Sequence, residues 1–248
     1  MRFVGGAPVQ FDAAELERAA KRFRGDMWRA VPQDAVTESG IEIADFGPVQ
    51  ATAFGDLSDF HSVSQIHGAA EPGAVEDGHL VEAIEWMRTR EVAYSVPVAS
   101  ARPGSERAAE WLGGHGYERG TSWMKFVHDR SSPILPENPD VAIYKLGEDE
   151  GDGEGLSAIA AEALGLPMTA ETLFFDLPLL GPWRCYTAAV PALEEMIVAT
   201  GSMLIDGGVA MLGLDATLES ARGRGCQQAL LRQRLLDAAA AECHTVFA

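Results

Sequence analysis

A chain of 248 residues, 47% of them hydrophobic, is long enough for one large domain or two small ones with an apolar core. Its formal net charge of −18 disfavours nucleic acids and anionic membrane surfaces as partners, because a negative field repels phosphate groups. Neither a transmembrane run nor a secretory signal is evident, and three widely spaced cysteines favour a reducing compartment, so we expect a cytoplasmic protein. The acidity itself fits a well-solvated surface, a preference for cationic amine substrates, or adaptation to salt.

The first part of the chain alternates helices with short strands. Residues 12–25 place apolar residues at helical spacing, with Asp12 as the expected N-cap and Gly25 as the expected end. Further helices are predicted at 79–90 and at 105–120, where a glycine pair is expected to stop the helix. The predicted strands are 41–46, 49–54, 60–67, 92–99 and 121–129.

The proline-rich stretch SSPILPENPD at 131–140 is the predicted domain boundary. It divides the chain into a first part, 1–132, and a second part, 141–248. The acidic, glycine-rich stretch at 147–155 is predicted to be an exposed loop.

The second part has a clear order of elements. In chain order they are a strand at 141–146, helices at 155–164 and 169–177, strands at 184–191, 194–205 and 208–218, a helix at 227–242 and the start of a strand at 244–248. The residues DGG at 206–208 are a hairpin signal between two of the strands. Helices interspersed among mostly antiparallel strands predict an α+β (mixed α/β) fold.

The stretch ARGRGCQQALL at 221–231 places two glycines and two arginines immediately before a predicted helix. The first turn of a helix has N–H groups without intrahelical partners and carries a partial positive charge. Glycines let a bulky anion approach those groups, and Arg222 and Arg224 add side-chain charge. The stretch therefore predicts an anion site, with a tight turn that carries surface arginines as the alternative.

Two common phosphate-binding patterns do not match this loop. The P-loop pattern GxxxxGK[ST] is absent, and Gln228 occupies the third glycine position of the dinucleotide pattern GxGxxG. A nucleoside triphosphate or NAD is therefore disfavoured as the anion.

The stretch DATLESARGRGCQQALLRQRLLDAAAAEC resembles the acetyl-CoA-binding motif of the GNAT (GCN5-related N-acetyltransferase) superfamily, [QR]-x-x-G-x-[GA], which follows a strand and opens a helix. Here the motif begins at Arg222, and Gln227 stands where the family has Gly or Ala. The preceding hairpin strands, and RAAEWLGGHGYERGTSWMKFVHD in the first part, resemble other pieces of the same fold. The resemblance implies two GNAT-like acyl-CoA N-acyltransferase units in tandem, each a central, mostly antiparallel sheet flanked by helices. The first unit is expected to be degenerate and to lack a glycine loop.

The resemblance implies an acetyltransferase that moves an acetyl group from acetyl-CoA to the amine of an unidentified acceptor, with acetyl-CoA as co-substrate and no metal. The diphosphate is expected at the loop amides, and the pantetheine arm along the strand before them. The implied cofactor-binding residues are Asp215, Ala216, Thr217, Arg222, Gly223, Arg224, Gly225, Cys226 and Gln227. A backbone N–H in the strand around 216–218 is expected to stabilise the oxyanion.

The general base and general acid that this reaction needs stay open in the sequence. The candidate bases are Glu194, Glu195, Asp215 and Glu219. Each of these carboxylates also fits a solvated surface position. Tyr186 is a candidate acid that also fits a core position, and Cys226 is either an activated thiol or a small residue packed under the loop.

The second unit, 141–248, ends inside its fifth strand, whereas a GNAT domain continues with a helix and two more strands. Either the first part supplies strands that complete the sheet, or the second unit is truncated and leaves an open edge. A non-catalytic acyl-CoA-binding or regulatory protein on the same fold is therefore an alternative, as is an interaction module with a vestigial loop. The expected acceptor is a small-molecule or peptide amine, and an unfinished sheet is compatible with a homodimer.

Overall fold

The structure is a computed structural model that describes residues 11–55, 63–129, 134–147, 152–166, 170–193 and 196–248. The helices are α1 (Ala13–Arg29), α2 (Gln33–Ser39), α3 (His79–Arg88), α4 (Ser105–Gly114), α5 (Asp152–Leu164) and α6 (Cys226–Ala240). The strands are β1 (Ile41–Phe46), β2 (Val49–Phe54), β3 (Gln65–His67), β4 (Val127–Asp129), β5 (Ala142–Lys145), β6 (Trp183–Ala189), β7 (Ile197–Asp206), β8 (Val209–Thr217) and β9 (Thr245–Phe247). Within these ranges, no helix has the length and apolarity needed to cross a lipid bilayer.

The strands form two sheets. Strands β1, β2 and β3 pair antiparallel in a three-stranded sheet. The larger sheet has the order β4-β9-β8-β7-β6-β5, and its pairs are antiparallel except for β8 with β9. The prediction of a mixed α/β fold with mostly antiparallel sheets is confirmed.

The larger sheet takes strands from both parts of the chain. Strand β4, which precedes the proline-rich stretch, pairs antiparallel with β9, with Val127 opposite Phe247. The first part therefore extends the sheet of the second part beyond β9. The sequence left open whether the first part supplies strands to the sheet of the second part. In the structure it supplies one, β4.

Helices cover both faces of the larger sheet. Cys185 and Leu204 pack with α1 and α5 on one face. Tyr186 and Met203, each next to one of them in sequence, pack against α6 on the other face. This alternation is the period of two that a strand buried on both faces requires, and it puts α6 on the face below the glycine loop.

Helix α1 begins as predicted but ends later. The carboxylate of Asp12 accepts a hydrogen bond from the Ala14 amide at 2.8 Å, which confirms the N-cap. The helix continues through Gly25 to Arg29, so the predicted end at the glycine is wrong. A Cβ at Gly25 would lie 2.8 Å from a guanidinium nitrogen of Arg29 and 3.4 Å from the side-chain amide of Gln50, so this glycine lies where α1 packs beside β2.

Two predicted strands are much shorter than their patterns. In the 92–99 stretch, Ser95 forms an isolated parallel bridge with Gln65. In the 121–129 stretch, strand structure begins at Val127, and the preceding Trp123 is 86% exposed. An alternating pattern becomes a strand only where a neighbouring strand pairs with it, and in the described chain β9 pairs only with Val127–Asp129 of this stretch.

Several helical predictions also change. The helix expected at 169–177 is replaced by turns and a 3-10 helix at Leu177–Leu179, where Pro178 has no N–H to donate. Helix α5 begins at Asp152, inside the stretch predicted to be a loop, and α2 was not predicted. The strand predicted from residue 60 begins at Gln65 in β3, and its first residues lie outside the described ranges.

Candidate functional site

The loop between β8 and α6 has the backbone that its glycines predicted. Gly223 and Gly225 have φ angles of 78° and 83°, in the left-handed region that favours glycine. Gly225 is the N-cap residue of α6 and has no side chain with which to cap the first turn. Arg222 and Arg224 are exposed beside it. The helix start therefore combines uncapped N–H groups with two guanidinium groups, an arrangement that suits an anion.

Asn138, in the stretch predicted to be a linker, holds the loop from the side. Its Nδ2 donates to the carbonyl of Arg224 at 3.1 Å. A Cβ at position 225 would lie 2.6 Å from the same nitrogen, so any larger residue there would have to displace the Asn138 side chain. By contrast, a Cβ at Gly223 would meet nothing within 4 Å, which leaves the space above that residue open to a ligand. No pattern in the sequence singled out Asn138.

Gln227, the departure from the family motif, connects α6 to the ends of two strands. Its Nε2 lies 2.8 Å from the carbonyl of Ala216, 2.9 Å from the hydroxyl of Thr217 and 3.1 Å from the carbonyl of Thr200. A glycine or alanine at this position would make none of these contacts. Compared with the small residue of the motif, Gln227 therefore adds a polar link between the loop and β8.

The larger sheet opens beside the loop. Strand β8 pairs with β7 as far as Thr217, but β9 pairs with β8 only from Val209 to Met211. Among the described residues, the rest of β8 has no strand on its β9 side. Asp215, Ala216 and Thr217, the predicted pantetheine-binding residues, lie in this open part, where an extended ligand can hydrogen-bond to a strand edge.

A β-bulge shapes the open part of β8. The register against β7 shifts between Thr200 and Ser202, and Leu214 opposite them has a φ of 52°. The hydroxyl of Thr200 donates to the carbonyl of Leu214 at 3.0 Å, and that of Ser202 donates to the carbonyl of Gly213 at 2.9 Å. Bulges increase local twist, so this one turns the end of β8 away from the regular sheet.

The first part, expected to lack a glycine loop, has a counterpart turn of opposite charge. Gly78 precedes α3 as its N-cap with a φ of 82°, much as Gly225 precedes α6. The residues just before it are Glu76 and Asp77 instead of arginines. Two carboxylates at the start of α3 repel a diphosphate. Of these two helix starts, that of α6 is therefore the one suited to bind it.

Tyr186 lies in the core between β6 and α6. Its hydroxyl donates to the Asp237 carboxylate at 2.7 Å, and Lys145 and Gln233 donate to the same carboxylate at 3.0 and 2.8 Å. Burial and the hydrogen bond to Asp237 raise the pKa of Tyr186. Burial alone would raise the pKa of Asp237, but the three donors together hold it below its ordinary value. The Tyr186 proton is thus donated to a charged acceptor whose side chain is 21% exposed.

The remaining candidate catalytic residues lie on the surface, in the core or outside the described residues. Glu219 is exposed in a 3-10 helix at Glu219–Ala221, between β8 and the loop. Glu195 and Glu194 lie outside the described residues. The Cys226 thiol is buried in an apolar cluster with Ala229 and Leu230, and burial raises its pKa, which opposes thiolate formation.

Comparison with solved structures places this geometry in a known fold. A GCN5-related N-acetyltransferase from Kribbella flavida aligns with a TM-score of 0.61 at 18% identity, over 96% of this chain and 86% of that chain. One from Sphaerobacter thermophilus aligns with a TM-score of 0.56 at 14% identity, over 82% of this chain and 72% of that chain. No family model matches the sequence, and no curated protein is significantly similar to it. The chain has the GNAT fold, as the sequence resemblance implied, and at these identities the likeness concerns the fold alone.

Proposed function

We propose that the protein is an N-acetyltransferase whose loop between β8 and α6 binds the diphosphate of acetyl-CoA. The observation that carries the proposal is the uncapped start of α6, where two left-handed glycines alternate with two exposed arginines. Helix N–H groups and guanidinium groups both bind diphosphate oxygens well. The open space above Gly223 gives a bulky anion room to reach the backbone.

The pantetheine arm of acetyl-CoA is assigned to the open edge of β8. An arm with amide groups can pair with a strand that lacks a neighbour, and β8 continues past Met211 without β9 beside it in the described chain. Asp215, Ala216 and Thr217 provide the backbone for this pairing. The loop and the strand edge are continuous, so one extended ligand can occupy both.

The reaction proposed is direct attack of a neutral amine on the thioester. The amine nitrogen forms a bond to the acetyl carbon, the carbon–sulfur bond breaks, and CoA leaves as a thiol after a proton moves to sulfur. A backbone N–H of β8 near Ala216 would stabilise the negative charge that develops on the carbonyl oxygen. Glu219 and Glu195 stay candidate bases, and Tyr186 stays a candidate acid.

Calorimetry tests the binding step. Arg222→Glu should weaken acetyl-CoA binding by about 10- to 100-fold, because it replaces a charge-assisted contact with repulsion. Binding of S-acetylpantetheine, which lacks the diphosphate, should change little. Arg119→Glu makes the same charge change at an exposed position in the first part and should leave both affinities unchanged. Equal acetyl-CoA affinity in Arg222→Glu and the unmodified protein would refute the assignment.

A non-catalytic acyl-CoA-binding protein is the second candidate function. The observation that favours it is the hydrogen bond from Tyr186 to Asp237, which engages the proton of the candidate acid. Release of free thiol from acetyl-CoA with a panel of amines distinguishes the two candidates. Amine-dependent release supports the enzyme, whereas tight acetyl-CoA binding without any release supports the binding protein.

A further inference from the structure

An exposed apolar run lies just before β4, at the edge of the larger sheet. We call residues 118–126 the edge segment, and all of them are exposed. Within it, Trp123, Met124 and Phe126 are 86%, 76% and 68% exposed. Single apolar side chains scattered over a surface need no explanation, but three large ones within four residues indicate an interaction surface.

The backbone of the edge segment is as unpaired as its side chains. The sequence predicted a strand over 121–129, and the structure forms it only from Val127. Residues 118–125 contain no helix, turn or bend, and they make no backbone hydrogen bond with any described residue. A run with a strand pattern and free N–H and C=O groups is a strand that lacks a neighbour.

Strand β4 determines which residues of the edge segment a new strand would meet. In the described chain, β4 has β9 on one side and no strand on the other. Phe126 and Ala248 exchange two backbone hydrogen bonds of 3.0 Å, so the polar groups of Phe126 point toward β9. This direction alternates along a strand, so Lys125 and Trp123 present their N–H and C=O groups to the free edge.

We propose that the edge segment pairs antiparallel with the edge segment of a second copy of this chain, with Met124 opposite Met124 on a two-fold axis. In this register the hydrogen bonds run between Trp123 of each copy and Lys125 of the other, which are the residues that face the free edge. The ammonium group of Lys125 then lies beside an indole ring, a favourable cross-strand pair.

The neighbouring registers are less favourable. A shift by two residues in one direction puts Lys125 opposite Lys125, which opposes like charges. The shift in the other direction puts Phe126 opposite Gly120, which has no side chain to cover the ring. In the proposed register Lys125 keeps its ion pair with Glu17 of α1, so covering it leaves no unpaired charge.

The area of the edge segment suits a second copy of the chain. Counted on both copies, the side chains of Trp123 and Phe126 bury roughly 600 Å². That is half of the area of a small stable interface, which is about 1,200 Å². Met124 and the paired backbones supply the rest. A two-fold arrangement thus reaches the required area with this segment alone.

The charge of the edge segment also permits two copies to meet. The chain has a net charge of −18, so two copies repel each other over most orientations. In the edge segment, Glu118 and Arg119 offset each other in sequence, and Lys125 is neutralised by Glu17. The segment is therefore a neutral, apolar strip on an acidic protein, and contact along it adds no repulsion of its own.

This inference does not depend on the proposed function, because the glycine loop and β8 take no part in the pairing. Sedimentation velocity without any ligand tests it. The unmodified protein should form a dimer that strengthens with added salt, because salt screens the repulsion between the acidic copies. Trp123→Ser should raise the dimer Kd at least about 10-fold. Leu179→Ser, the same kind of change at a position that is 50% exposed, should leave the Kd unchanged.

Two results of this measurement would overturn the proposal. One is an unmodified protein that stays monomeric at about 100 μM, which would leave the edge segment to a different partner. The other is a dimer whose Kd is the same in Trp123→Ser as in the unmodified protein, since the copies would then meet through another surface.

Cross-linking tests the register. The native cysteines are buried, so an introduced surface cysteine is the accessible thiol. Met124→Cys should form an intermolecular disulfide on mild oxidation, because opposite residues of a non-hydrogen-bonded pair have Cα atoms about 4.5 Å apart. Ser122→Cys is the matched control, since its two copies would lie about 14 Å apart along the paired strands. A disulfide that forms as readily in Ser122→Cys as in Met124→Cys would refute the proposed pairing.

Discussion

Arg234 of α6 and Asp215 of β8 form an ion pair under the bulge that opens the larger sheet. The Arg234 side chain is 2% exposed, and it also donates to the carbonyls of Leu230 at 3.2 Å and Ser202 at 3.1 Å. A Cβ at Gly201 would lie 2.9 Å from its guanidinium carbon, so the glycine makes room for it. One buried cation therefore fixes the shape of the strand edge that we assign to pantetheine.

Asp215→Asn should destabilise the fold, because it leaves the buried charge of Arg234 without a counter-charge. We expect a loss of about 1–3 kcal/mol, less than for a fully buried pair because the Asp215 side chain is 38% exposed. Urea denaturation measures the change. Glu219→Gln is the control, since it neutralises a nearby exposed carboxylate. Equal stability of the two variants would mean that Arg234 is satisfied without Asp215.

The two loop glycines should respond differently to alanine. Both substitutions strain a left-handed residue by about 1 kcal/mol, but Gly225→Ala also places its Cβ against Asn138. We expect Gly225→Ala to weaken acetyl-CoA binding about 10-fold by calorimetry, and Gly223→Ala to weaken it less. Adding Asn138→Ala should restore part of the affinity lost in Gly225→Ala. Without that rescue, the role given to Asn138 would be wrong.

Local signals in the sequence predicted most of the second part. The hairpin at 206–208 and the start of α6 follow from residues that demand a particular backbone over a few positions. The end of α1 was missed because a glycine does not end a helix that packs against another element, as α1 does at Gly25 beside Gln50 of β2. A rule on helix ends takes no account of such a contact.

The parts of the site that the sequence did not reveal depend on distant residues. Asn138 meets the loop only after the chain between β4 and β5 folds back on α6. Arg234 reads as one more charged residue of an amphipathic helix, yet it is buried against the bulge of β8. These contacts have large sequence separations, and periodicity carries no information about them.

Gln227→Ala restores a small residue that the GNAT motif has at this position. The change removes the contacts of Nε2 with Ala216, Thr217 and Thr200, so stability should fall by about 1–2 kcal/mol. The loop amides are unaffected, and acetyl-CoA affinity should stay within about threefold. Denaturation and calorimetry on the same variant separate the two effects. A large loss of affinity with unchanged stability would show that Gln227 binds the ligand directly.

His67 should make the stability of the fold depend on pH. In the unfolded chain its ring takes up a proton near pH 6.5, whereas in the fold its pKa is lowered well below that value, first by burial and then by the cations around it. Between these two pKa values the unfolded state binds more protons, so stability rises with pH and is lost as the pH falls below about 6.5, by at most about 1.4 kcal/mol per unit.

Urea denaturation between pH 5 and pH 8 measures this dependence. His67→Gln should flatten the loss of stability on the acid side, and Arg24→Gln should reduce it partly, because one of the cations that disfavour the protonated ring is gone. His115→Gln removes an exposed histidine and should leave the slope unchanged. If His67→Gln keeps the slope of the unmodified protein, burial and the surrounding cations do not hold this ring neutral.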